Sequence, residues 1–260
     1  MSERNDIVDL TGVVKGAQTL MRALDIMDEV IAGPIRLTDL AQKLCMSKTT
    51  THRLVAALAS RKYLHLTPTG FGLGPKLIQM GVIASEQVNY INVARPAMEL
   101  LSERTGFCVF SGKREGDWLR YVDRVTGQQR LRLSAAPGDF RPIAETGMGK
   151  ALLLDEGEPA LVYLYKQATG EAPESPRGIQ FLDSMRINRR RGLVLHDSES
   201  DNGVRSVAAP VRDAGGRICM AISIASAAHY LTDSNIGQLA EQLARSVKQV
   251  STAIGYKGNE

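Results

Sequence analysis

The stretch LTDLAQKLCMSKTTTHRLVAAL, from Leu37 to Leu58, restricts the fold more than any other part of the chain. Leu37, Leu40, Ala41 and Leu44 fall at i, i+3, i+4 and i+7, the spacing of one helix face. Leu54, Val55 and Leu58 repeat that spacing in a second helix. Only Cys45-Met46 separate the two, so the pair must turn a tight corner. Thr38 is the expected N-cap of the first helix, with Asp39 in its first turn, and Ser47 is the expected N-cap of the second. Upstream, Leu20, Met21, Leu24, Met27 and Ile31 predict a helix from Ala17 to Ala32, stopped by Gly33-Pro34. Downstream, YLHLTPTGFGLG alternates apolar and polar residues around a Pro/Gly-containing turn and reads as a short hairpin. Three helices and a hairpin in about sixty residues make a helix-turn-helix with a β-wing.

The second of the paired helices opens with Ser47, Thr49, Thr50 and Thr51 crowded around Lys48, His52 and Arg53. These are mediocre helix formers. Their chemistry suits a helix whose N-terminal end enters the major groove of double-stranded DNA. Hydroxyls and free backbone N–H groups there meet phosphate oxygens, and Lys48 and Arg53 reach phosphates or guanine edges. A Ser/Thr-rich helix start also serves plain capping. The neighbouring helix, the tight turn and the wing favour the DNA reading. His52 stays open between a DNA contact and packing against the wing.

The charge distribution agrees. The 260 residues carry a formal net charge of +4, and the stretch from Arg36 to Lys62 holds six Lys/Arg against one acidic residue, Asp39. A mild basic excess permits a polyanionic partner. The three cysteines, Cys45, Cys108 and Cys219, are scattered and form no CxxC pair, so neither a zinc site nor any other cofactor is expected. An odd cysteine count, a polar N-terminus without an apolar h-region and no run long enough to span a bilayer suggest a reduced cytoplasmic setting without a membrane.

After a lead-in of about a dozen residues, three segments are expected: 12–74 for the winged helix-turn-helix, 75–105 for linker helices, and 106–256 for a second domain. Gly81 and Pro96 are the expected breaks in the linker, which also offers a dimer contact. Beyond Gly106 the texture turns to strands (FCVFSG, DWLRYVDRV, RLRLSA), then helices (TGMGKALLL, EPALVYLY, IQFLDSMRINRRRG), then strands again (LVLHD, VRSVAAPV, RICMAISIA). A helix from Asp233 to Ile254 closes the chain. This order indicates an α+β domain with a mainly antiparallel sheet.

Across residues 14–256 the chain resembles the IclR-type family of bacterial transcriptional regulators. The resemblance rests on LTDLAQKLCMSKTTTHRLVAALASRKYL, FGLGPKLIQMG, ARPAMELLSERTG, YVDRV, GMGKALL, GVRSVAAPVRDAGGRI and AISIA, in that order and spacing. It implies an N-terminal winged helix-turn-helix, a linker helix and a C-terminal GAF-like effector domain. It further implies homodimers, or tetramers built as dimers of dimers, on palindromic operators. The implied effectors are small organic acids or lactones from catabolic pathways.

The start of the GMGKALL helix is the expected seat of an anionic ligand, with Gly147 and Gly149 admitting close approach to its N–H groups and Met148 between them. A P-loop is excluded, since Ala144 and Ala151 stand where Gly and Ser/Thr are required. Carried over by the resemblance, His196, Ser206, Ser223 and Ala225 line the pocket. The chain departs from the family pattern here: an acidic residue often stands at His196, a cysteine at Ser206, a serine at Ala225 and something smaller at Met148. His196 is alternatively solvent-facing, and both serines alternatively serve neighbouring backbone. Arg141 reads as a surface charge, or alternatively as a carboxylate clamp; the run Arg186, Arg189, Arg190, Arg191 reads as helix-terminal charge, and Trp118 and Tyr121 as sheet or interface residues. A rival enzyme reading rests on His, Asp and Ser in LHDSES, but no G-x-S-x-G nucleophile elbow accompanies them.

Overall fold

The computed structural model describes residues 17–128, 135–197 and 203–258. It divides into two units between Gln87 and Val88.

In the first unit, α1 (Gln18–Ile31), α2 (Leu37–Lys43) and α3 (Lys48–Ser60) are followed by the wing strands β1 (Leu64–Thr67) and β2 (Gly70–Leu73) and by α4 (Pro75–Gln87). Ile26, Val30, Leu40, Val55 and Leu64 form the small core. The corner between α2 and α3 is closed by the Met46 N–H donating to the Ala41 carbonyl at 2.9 Å, with Cys45 at φ 50°. Ser47 caps α3, its hydroxyl accepting from the Thr50 N–H at 3.1 Å. Thr38 does not cap α2. The helix begins two residues earlier, at Leu37, with extended Arg36 in the cap position and no side-chain cap. A backbone bridge explains this: Ile35 and Phe71 exchange hydrogen bonds of 3.1 and 2.8 Å, and the chain enters the helix directly from that extended register. The wing is also fastened to α4. The Gly74 N–H donates to Tyr63 O at 2.7 Å and the Lys76 N–H to Lys62 O at 3.1 Å.

The helices after the wing break at Val88-Asn89, not at Gly81 and Pro96, and they fall in different units. Gly81 lies inside α4 and Pro96 inside α5 (Tyr90–Thr105). The capping chemistry decides the break: the Asn89 side-chain oxygen accepts from the Ile91 and Asn92 N–H groups at 3.1 and 3.2 Å.

The second unit continues with β3 (Cys108–Glu115), β4 (Trp118–Val125), β5 (Phe140–Pro142), a 3-10 turn at Ile143–Glu145, α6 (Gly147–Leu152), α7 (Glu158–Thr169) and α8 (Pro176–Arg191). It ends with β6 (Val194–Asp197), β7 (Val204–Arg212), β8 (Ile218–Ala227) and α9 (Ile236–Ala253). The strands form one sheet in the order β5-β4-β3-β8-β7-β6, every pair antiparallel. The expected strand at RLRLSA lies, but for Ala135, outside the described residues.

Strand alternation assigns the layers. Val109, Val207, Ala209, Val211, Ile222 and Ile224 face α5 and α9. Cys108, Phe110, Ala208, Ala221 and Ala225 face α6, α7 and α8. The first face is branched and bulky, whereas the second carries small side chains beneath α6. That helix consequently sits close to its neighbours, and a Cβ added at Gly149 would collide with the carbonyl of Ile143.

Gly149→Ala should therefore destabilise the C-terminal unit by about 1–3 kcal/mol, as overpacking does. Gly81→Ala, with open space around it, should stabilise the N-terminal unit by about 0.5–1 kcal/mol. Denaturant unfolding of the two variants checks both, and a neutral Gly149→Ala would refute the close approach of α6.

Candidate nucleic-acid interface and ligand pocket

Lys48, Thr49, His52 and Arg53 are exposed on α3, and their spacing places them on one face. Thr51 differs from the expectation. It is fully buried, and its hydroxyl donates to the Ser47 carbonyl at 3.1 Å, so it belongs to the packed face with Val55. The hydroxyls of Ser47 and Thr50 bond each other at 2.9 Å, at the tip of the helix. His52 turns to solvent beside Arg53; it is His65 that joins the wing, its ring nitrogen 3.0 Å from Leu73 O. Neither Lys48 nor Arg53 has a carboxylate partner among the described residues, whereas Lys43 pairs with Glu29 at 2.9 Å. In the second unit Arg114, Arg120, Arg177, Arg186, Arg205, Arg212 and Arg217 are all in ion pairs.

Six of the seven expected effector residues meet at one buried site, whereas Gly149 faces Ile143 and Thr146. His196 lies opposite Ser206, Ser206 opposite Ala225, and Ala225 opposite Cys108. The adjacent row on the same face is Val194, Ala208, Ser223 and Phe110. Helix α6 lies over both rows. A Cβ at Gly147 would meet the Ser206 hydroxyl and the His196 side chain, so only glycine lets the helix start this close. The Ser223 hydroxyl donates to the Met148 sulfur at 3.8 Å. One N–H of the expected anion cradle is already used: Gly149 donates to the Thr146 hydroxyl at 2.9 Å, an ordinary N-cap. His196 is 8% exposed and does not face solvent. Of the LHDSES residues, Ser198, Glu199 and Ser200 lie outside the described residues.

The sequence reading left out Lys150. It is 3% exposed on α6, with its ammonium 5.3 Å from the centre of the Phe181 ring. The available signal was the run GMGKALLL itself, apolar all round except for one lysine, which marks a helix buried on every side. Arg189 was also assigned too little: its guanidinium donates to Leu154 O at 2.7 Å and to Glu156 O, pinning the loop after α6.

Burial, and secondarily the Lys150 ammonium, push the His196 pKa from 6.5 down to about 3. The native site therefore holds a neutral imidazole while the unfolded chain takes up the proton. Stability from this residue is complete above the unfolded pKa and is lost as pH falls from there toward the native value. Between neutral pH and about pH 5, His196 should cost the protein about 2 kcal/mol. Urea unfolding at the two pH values should show that loss, and His196→Gln should abolish it. An identical pH dependence in the variant would place the imidazole in water.

Comparison with known proteins extends these observations to a family. The profile described as "Bacterial transcriptional regulator IclR C-terminal" matches residues 82–252, and the "IclR helix-turn-helix domain" matches residues 19–68. The HTH-type transcriptional regulator XynR of Escherichia coli K12 is 25% identical over 249 residues, covering 94% of this chain and 98% of that one. The fold is similar to the crystal structure of the repressor BlcR of Agobacterium tumefaciens, at TM-score 0.73 and 20% identity, covering 94% of this chain and all of that one. It is likewise similar to HmgR of Pseudomonas aeruginosa, at TM-score 0.76 and 20% identity over 93% of this chain and 99% of that one. With both the helix-turn-helix and the C-terminal domain matched, the chain belongs to the IclR family of bacterial transcriptional regulators.

Proposed function

We propose that this regulator binds palindromic double-stranded operator DNA through α3 and answers to a small organic acid or lactone held under α6, thereby controlling catabolic genes. The observation that carries the reading is the pairing of a capped, basic helix face in one unit with a buried polar cluster in the other. Lys48, Thr49, His52 and Arg53 form the groove-facing surface, with the Ser47 and Thr50 hydroxyls at its tip. Thr51 is left to packing. In the second unit, His196, Ser206 and Ser223 supply hydrogen bonds, Gly147, Met148, Gly149 and Ala225 shape the walls, and Lys150 favours a carboxylate. A buried cation raises the affinity of its surroundings for an anion because the low dielectric strengthens the attraction.

A homodimer supports palindrome reading. The exposed apolar residues Leu20, Met21, Leu24 and Ile31 run along α1, and Ile78, Val82 and Ile83 along α4. We assign these stripes to the contact between two copies. A tetramer would follow by pairing of dimers. Effector binding shifts the balance between arrangements that fit and misfit the two half-sites.

Replacing Lys48 or Arg53 with Ala should weaken operator binding while leaving the melting temperature in place. If Lys48 meets a phosphate, the slope of log K against log salt should fall by about one for each half-site contact. Unchanged affinity in both variants would remove α3 from the interface. A thermal-shift panel of carboxylates, aromatic acids, sugar acids and lactones should yield a ligand that raises the melting temperature by mass action. Ser206→Leu should abolish that shift with DNA affinity nearly intact, and the ligand should be recovered chemically unchanged. A normal shift in Ser206→Leu would move the effector elsewhere.

A further inference from the structure

A cavity lies in the C-terminal unit, at the other end of α6 from the His196 cluster. It is a cleft of about 290 Å³ lined by Arg114, Leu152, Asp155, Glu156, Arg217, Ile218 and Cys219. None of these residues takes part in the cluster around His196. Leu152 closes α6, so an occupant here would touch the far end of the helix whose start lies over His196 and Ser206. We propose that this cleft is a separate ligand site and that it takes a small zwitterion, such as a short-chain α-amino acid.

The argument begins with the charges. The cleft sets two guanidinium groups and two carboxylates around an apolar floor of Leu152, Ile218 and Cys219. An amine alone or a carboxylate alone would be met by one favourable and one unfavourable pair. A zwitterion satisfies both, and its side chain rests on the floor. Arg217 is the carboxylate anchor: Asp213 engages its Nη2 at 3.1 Å and its Nε at 3.3 Å, which aims the guanidinium and leaves further donors for a ligand. Glu156 is the ammonium anchor: Arg114 holds its Oε1 at 2.6 Å, and the second oxygen remains an acceptor.

The walls are built in advance. Arg212 grips Asp155 through two hydrogen bonds of 2.6 and 2.8 Å, which also keeps that carboxyl below its usual pKa. Arg189 ties the carbonyls of Leu154 and Glu156 to α8. Residues from β3, β7 and α8 thus fix the loop after α6, and a ligand entering a fixed cleft has little ordering left to impose. The floor is inert. The Cys219 thiol donates to the Val211 carbonyl at 3.4 Å, and burial pushes its pKa up to about 11, so it is no nucleophile at neutral pH and binding is reversible.

Isothermal titration of the full chain with L-alanine, L-valine and L-leucine tests the proposal, with propionate and butylamine as single-charge controls. At least one amino acid should bind saturably at one per chain, and both controls should bind more weakly by about tenfold or more. Arg217→Ala and Glu156→Gln, both surface changes, should each weaken binding about tenfold with the melting temperature unchanged. Ser206→Ala, in the other cluster, should leave it intact. Three results would overturn the proposal: no saturable heat from any of the three amino acids at millimolar concentration, equal binding of propionate, or binding that survives Arg217→Ala and disappears in Ser206→Ala. The last result would assign the ligand to the cluster under the start of α6 and leave the regulator reading standing.

Discussion

The close seating of α6 on the sheet is the constraint on which the C-terminal unit depends. Ser206, Ala208, Ala221, Ser223 and Ala225 keep that face of β7 and β8 low, while Gly147 removes a side chain where the helix comes nearest to Ser206 and His196, and Gly149 does the same against the Ile143 carbonyl. Small residues on both sides bury little apolar area at the contact itself. The large apolar side chains of that layer, Phe110, Leu153, Tyr165, Phe181 and Met185 among them, pack around the contact. Val and Ile residues fill the face toward α5 and α9. One face of the sheet therefore combines an apolar core with a polar site. The same closeness explains why His196 and Lys150 are out of water, and hence why the imidazole stays neutral.

Many arginines of the C-terminal unit are engaged with Asp, Glu or backbone carbonyls and bind the unit to itself. Exposed pairs of this kind add little stability each. On α3, Lys48 and Arg53 stand without such partners among the described residues, so their charge is open to a polyanion.

Much of the fold was legible in the sequence because local rules and tertiary packing agreed. The paired helices, the wing, the order of strands and helices and the glycine-rich start of α6 all follow from periodicity and turn chemistry. The misreadings have a common cause. Gly81 and Pro96 are weak helix residues, but a helix end is decided by who supplies the cap, and Asn89 does so. Thr38 had the right chemistry for a cap, yet the bridge between Ile35 and Phe71 fixed the entry to α2 first. Thr51 looked like its neighbours in KTTTHR, but helical phase turned it inward. At the candidate site, the glycines and serines were readable as a group. The burial of Lys150 was signalled by the apolar run around it, whereas the loop pinned by Arg189 depends on packing between segments distant in the chain, which no local pattern encodes.

The two backbone hydrogen bonds that fasten the wing to α4 make a mechanical unit of the reading head. Gly74 is bonded to Tyr63 and Lys76 to Lys62, so the first turn of α4 cannot swivel without carrying β1, β2 and the end of α3 with it. The two strands, the end of α3 and the start of α4 therefore turn together, and the wing keeps one fixed distance from the helix it flanks.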